Sequence, residues 1–240
     1  IWKHYLHTKK IITNVLTAIY EPFGFALLLA FFALFFYLYA YQPVNAGKGW
    51  KAALNTWATG FRTSCFFRKL FLLAFFLAMI LFRTLLNRNL WLNPLSDVMG
   101  GWGIWKVASD ETKELTTECF ENIILMFPFT SVLMWTMKEK LVKVITLRSI
   151  AFKSAEIAFC FSLIIEFLQL FLRLGTFQLS DLFYNTLGGC LGGVAYWIGG
   201  RFAIPLIKKA ETFPVSKQHG HSDLNLIAKI FYLSWQFFAV

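Results

Sequence analysis

Residues 162–193 read SLIIEFLQLFLRLGTFQLSDLFYNTLGGCLGG. Two apolar runs meet at a bend marked by Gly175, and each run carries polar residues close to that bend. A charged side chain in hydrocarbon costs about 2.5–3.5 kcal/mol on insertion scales, so it needs a partner, water or a function. In the first run Ser162, Glu166, Gln169 and Arg173 are spaced by four, three and four, which sets them on one helical stripe. In the second run Asp181, Asn185, Gly188 and Gly192 repeat that spacing. A short connection makes consecutive helices antiparallel neighbours. The two stripes are therefore expected to face each other and to gather Glu166, Gln169, Arg173, Asp181 and Asn185 near one level.

The glycines point the same way. Gly188 and Gly192 form one GxxxG, and Gly189 and Gly193 form another. Small residues let helix backbones approach closely in lipid. A packing face explains them without further assumption, and sharing a stripe with Asp181 and Asn185 would also bring polar groups together.

Outward from this stretch, the composition sets the class. The chain has 240 residues, 58% hydrophobic and 15% charged, with 28 Phe and a mean hydropathy of +0.58. Soluble domains hold nearer to about 45–50% apolar and about 25% charged residues. The expectation is an all-α polytopic membrane bundle with about five transmembrane helices. They fall at roughly 22–42, 69–86, 117–137, 149–172 and 182–204, each near the length of about 20 residues that a bilayer requires. Pro22 suits the first turn of the first span, and Pro128 should kink the third. Residues 1–20 read as an interfacial amphipathic helix. Residues 224–240 read as a second one, with a sixth span as the alternative. Three regions follow: 1–66, with the N-terminal interfacial helix, first span and basic loop; 67–204, a four-helix membrane domain; and 205–240, a polar tail with a C-terminal interfacial helix.

The net charge of +10 belongs mainly to loops. Loops 43–68 and 138–148 and the segment after residue 200 hold thirteen Lys and Arg, against seven on the opposite side. The basic side should be cytoplasmic, leaving loops 87–116 and 173–181 extracellular. No nucleic-acid-binding signature interleaves these charges, so a nucleic-acid partner is not expected. Cys65, Cys119, Cys160 and Cys190 are scattered and lack CxxC spacing, which argues against a zinc site or a disulfide framework. His219 and His221 form an HxH with no third ligand nearby. No metal and no cofactor is expected. No nucleophile elbow, Walker loop or HExxH appears, so nothing identifies an enzyme.

Arg83, near the end of the second span, is the natural counter-ion. It lies at the level expected for Glu118, Glu121, Glu166 and Asp181, with Asn122 beside them. Interhelical ion-pair glue and a site for a polar or charged ligand both remain open.

Three stretches carry a resemblance: LFRTLLNRNLWLNPLSD (81–97), ECFENIILMFPFTSVL (118–133) and IEFLQLFLRLGTFQLSDLFYNTLGGCLGG (165–193). They are similar to the VanZ-like family, named for a teicoplanin-resistance protein of Gram-positive bacteria, over roughly residues 70–200. Arg173 sits one position from the family's loop arginine, and Thr130 stands where glycine is usual. The resemblance implies a multi-pass membrane protein with a four-helix core, without an established enzyme activity. On this basis Arg83, Glu118, Glu121, Asn122, Glu166, Gln169, Arg173, Asp181 and Asn185 are expected to line an outward-facing pocket. Its partners would be membrane lipids and an amphiphilic ligand, either a lipoglycopeptide antibiotic or a lipid-linked envelope intermediate. Two alternatives are a membrane enzyme using Glu166 or Asp181 as acid–base, and a small proton-coupled transporter.

Overall fold

A helix of 39 residues, Trp2–Ala40 (α1), opens the computed structural model, which describes residues 2–41, 49–107 and 113–211. The break expected at Pro22 does not occur. Ala18, Pro22, Ala26, Ala30 and Leu34 step by four and are all buried, so the proline belongs to a stripe of mostly small side chains on one face. That face packs against the next long helix, where Phe75, Ala78, Met79 and Ile80 meet Ala26 and Ala30 in one core cluster. Membrane helices tolerate an interior proline because neighbouring groups re-satisfy the freed backbone. At about 1.5 Å per residue, α1 is about 58 Å long, nearly twice a hydrocarbon core of about 30 Å. The interfacial helix and the first span are thus one continuous rod.

A short surface helix follows, Trp50–Thr63 (α2), and then Cys65–Leu81 (α3). Ser64 caps α3 by accepting a hydrogen bond from the Phe67 amide at 3.2 Å. α3 does not end cleanly. It widens into a π-helical turn, Phe82–Leu86, closed by the Asn87 amide donating to the Phe82 carbonyl. The loop beyond it contains an antiparallel hairpin: β1 (Trp105–Val107) pairs with β2 (Lys113–Leu115), Lys106 opposite Glu114.

Three long helices complete the bundle: α4 (Glu118–Leu141), α5 (Leu147–Leu172) and α6 (Leu179–Glu211). α4 runs uninterrupted through Pro128. Among the described residues, four helical segments are long and apolar enough to cross a membrane: Thr8–Ala40, Cys65–Leu86, Glu118–Leu141 and Leu147–Leu172. α6 is longer than α4 and α5. It packs chiefly against α4 and α5. A Cβ on Gly188 would lie 2.6 Å from the Ile123 carbonyl oxygen, and one on Gly192 would strike the Phe127 carbonyl. Gly189 and Gly193 lie instead against Ala158 and Ser154 of α5. The two GxxxG pairs therefore serve two different neighbours, one each. His219, His221 and the expected helix at 224–240 lie outside the described residues.

Candidate functional site

Arg83 stands in the π-turn that ends α3. A π-turn adds a residue to the helical repeat and swings the following side chains, a distortion frequent at functional sites. Arg83 reaches both α1 and α4: Nη1 donates to Glu21 Oε2 at 3.0 Å, and Nη2 to Glu121 Oε2 at 2.7 Å. Glu121 is held from its other oxygen, since Thr117 Oγ1 donates to Oε1 at 2.7 Å and in turn accepts from Asn14 Nδ2 at 3.0 Å. Glu118 and Glu121 both stand in the first turn of α4, where the positive end of the helix dipole favours carboxylates. One residue further, Asn122 Nδ2 donates to Asp181 Oδ1 at 2.8 Å, tying α4 to the start of α6.

These groups surround a cavity of about 450 Å³. From the expected set it is lined by Arg83, Glu118, Glu121, Asn122 and Asp181. Lys10 and Asn14 of α1, Thr84, Asn87 and Arg88 after α3, Thr116, Thr117 and Gln178 complete the wall. Three cations and three carboxylates thus face one space at the end of the bundle where α3 ends and α4 and α6 begin.

Glu166, Gln169, Arg173 and Asn185 do not line it. Glu166 is 2% exposed, and its Oε2 accepts the Gln178 amide at 2.7 Å, so it ties down the α5–α6 bend. Gln169 Nε2 donates to the Thr84 carbonyl at 2.7 Å, satisfying a backbone acceptor at the end of the π-turn. Asn185 Nδ2 donates to Ser162 Oγ at 2.8 Å within the α5–α6 contact. Arg173 leaves the stripe altogether. It takes a left-handed conformation (φ 56°) as the C-cap of α5, and its side chain is exposed. The expected gathering of the two stripes at one level therefore divides: Asp181 turns to α4 and the cavity, while Glu166, Gln169 and Asn185 hold helices together.

The bend is fastened by the 87–104 loop. The Trp91 amide donates to the Arg173 carbonyl, Phe177 to Pro94, and Leu179 to Val98. Gln178 Nε2 reaches Asp97 Oδ2 at 3.1 Å, and the Gly103 amide reaches the Tyr184 hydroxyl at 2.7 Å. Gly100 (φ +69°) presses so closely on Ser180 that any Cβ there would collide with its hydroxyl.

Sequence reasoning missed Lys10, Asn14 and Glu21. Had α1 been read as unbroken, the spacings of four and seven would have put them on one face, with Glu21 as a carboxylate inside an apolar helix. Thr117 and Gln178 carried no comparable signal, because their roles depend on partners distant in sequence. Among the described residues no group of His, Cys, Asp and Glu could hold a metal ion.

A family model described as VanZ/LLP1 matches residues 69–200. No curated protein and no solved structure matches this chain.

Proposed function

The chain belongs to the VanZ-like family, and we propose that it binds the polar head of an amphiphilic cell-envelope molecule in the cavity around Arg83. The family membership and the apolar helices make it a membrane-embedded protein; the ligand and its consequence are our reading. The observation that carries the reading is the cavity wall itself. Arg83, Lys10 and Arg88 share the wall of about 450 Å³ with Glu118, Glu121 and Asp181, where charge needs a partner, water or a function. Guanidinium favours phosphate and carboxylate, while Asn122, Asn14, Thr117 and the carboxylates suit hydroxyls and amides. A mixed lining of this kind suits a headgroup bearing both charge and sugar or peptide. A lipoglycopeptide such as teicoplanin has that chemistry, as does a lipid-linked envelope intermediate, and binding would contribute to antibiotic resistance or envelope homeostasis. The basic loops would face the cytoplasm and the cavity the outer leaflet.

Binding is favoured over acid–base catalysis because Glu166 spends its carboxylate on a backbone amide rather than on the cavity, and Asp181, which does line it, accepts a hydrogen bond from Asn122. The test is saturable binding of a labelled lipoglycopeptide and of a labelled lipid-linked precursor to the purified full chain in nanodiscs. Arg83→Ala is expected to weaken binding about tenfold, the effect of about 1.4 kcal/mol. Absence of saturable binding of either probe, or an unchanged affinity in Arg83→Ala, overturns the proposal. Conversion of a probe to a new product would replace it with an enzyme.

A further inference from the structure

The far end of the bundle carries a second cavity, with both basic and apolar side chains in its wall, that the Arg83 site does not explain. It has a volume of about 500 Å³ and is formed at the α4–α5 turn, where Lys143, Arg148 and Lys153 converge with Thr146, Ser149 and Phe152. Lys153 is paired with Glu156 at 3.0 Å. Among the described residues Lys143 and Arg148 have no carboxylate partner, and both are exposed. Two uncompensated cations therefore stand at one concave site with a hydroxyl beside them. Thr146 already caps α5 by accepting the Ser149 amide, so the cations are the groups left for an occupant.

The depth of this site argues for a lipid rather than a soluble anion. Lys69 Nζ lies 4.5 Å from the Trp135 ring centroid, Arg201 Cζ 5.0 Å from that of Trp197, and Lys138 Nζ 5.7 Å from that of Tyr196. Trp and Tyr concentrate at headgroup depth, and long basic side chains reach toward that depth. Phe152 in its wall is 74% exposed, and Val144, Ile145 and Leu147 of the same turn are exposed as well. A soluble protein surface would leave such side chains in water, whereas acyl chains cover them.

We propose that Lys143 and Arg148 hold the phosphate of an anionic phospholipid whose acyl chains lie along Phe152 and the neighbouring apolar side chains. Basic pockets between membrane helices bind anionic headgroups in this manner. This site is independent of the Arg83 reading.

The test is native mass spectrometry of the purified full chain titrated with phosphatidylglycerol and with phosphatidylcholine of the same acyl chains. The expected result is a saturable preference for phosphatidylglycerol. A basic side chain that contacts the anionic headgroup contributes about fivefold, so Lys143→Ala/Arg148→Ala should lower that preference roughly 25-fold. Lys51→Ala/Lys140→Ala removes equal charge from the same end and is expected to keep it. Equal uptake of the two lipids overturns the proposal. So does a double variant at 143 and 148 that keeps the preference, or an equal loss in the 51/140 control. Displacement of the lipid by inorganic phosphate at comparable concentration would also overturn it, by making the occupant a soluble anion.

Discussion

Arg83 makes two ion pairs of unequal worth, and the inequality can be measured. Its side chain is 29% exposed; that of Glu21 is 42% exposed and that of Glu121 is 13%. The Glu21 pair at 3.0 Å resembles a surface salt bridge, for which about 0–1 kcal/mol is usual. The Glu121 pair is shorter, at 2.7 Å, more enclosed, and braced by Thr117. A charge-assisted bond contributes about 1.5–3 kcal/mol in water-soluble proteins. Interhelical bonds in a membrane bundle average about 0.6 kcal/mol and reach about 1.7, because the unfolded chain in lipid also finds partners. We therefore expect a coupling of about 1.5 kcal/mol between Arg83 and Glu121, and of about 0.5 kcal/mol between Arg83 and Glu21. The assay is a pair of double-mutant cycles, Arg83→Ala with Glu121→Ala and with Glu21→Ala, by equilibrium unfolding of the purified chain in mixed micelles. At 1 M salt, where the screening length falls to about 3 Å, the Glu21 coupling should vanish while most of the Glu121 coupling persists. Equal couplings, or a Glu121 coupling within the additivity scatter of about 0.3–0.5 kcal/mol, would refute the picture of Glu121 as the principal anchor of Arg83.

Further substitutions at four positions probe the frame. Gly192→Val drives a side chain into the Phe127 carbonyl and Thr130; it should cost at least about 1–3 kcal/mol of stability, read as a lowered thermal midpoint. Gly199→Val, where nothing lies within 4 Å, should stay within about 0.5 kcal/mol. Glu166→Gln keeps an oxygen to accept the Gln178 amide and should fold nearly normally, whereas Glu166→Leu strands that buried amide at about 1–3 kcal/mol. Chemical denaturation of the two variants side by side distinguishes them, and equal losses would show that the carboxylate charge matters rather than the bond. Gly100→Ala combines a left-handed backbone, costing about 1–2 kcal/mol for a residue with a Cβ, with a collision at Ser180. Faster hydrogen exchange across residues 91–104 should follow.

Much of the bundle was readable from composition and spacing. Apolar runs of bilayer length have few alternatives in lipid, because only helices satisfy their own backbone there. The glycine pairs of α6 also announced close packing, although not that each pair serves a different helix. The candidate site was legible only in part. Arg83, Glu118, Glu121, Asn122 and Asp181 stood out as charges and amides near helix ends, and the structure places them around one cavity. Glu166, Gln169 and Asn185 stood out for the same reason but meet partners in the α5–α6 contact, the bend and the π-turn. Spacing assigns a stripe but not the neighbour that a stripe faces.

What the sequence alone determined is the solvent of this protein and the positions at which polarity inside it had to be accounted for. Both follow from transfer energies, which belong to individual residues. Which carboxylate meets Arg83, and which only ties down a loop, was decided by tertiary structure. Arg83 meets Glu121 across the α3–α4 contact, the unbroken α1 carries Glu21 to it, and the left-handed cap removes Arg173. Those outcomes depend on angles of a few tens of degrees at helix ends, which the identity of the residues leaves open.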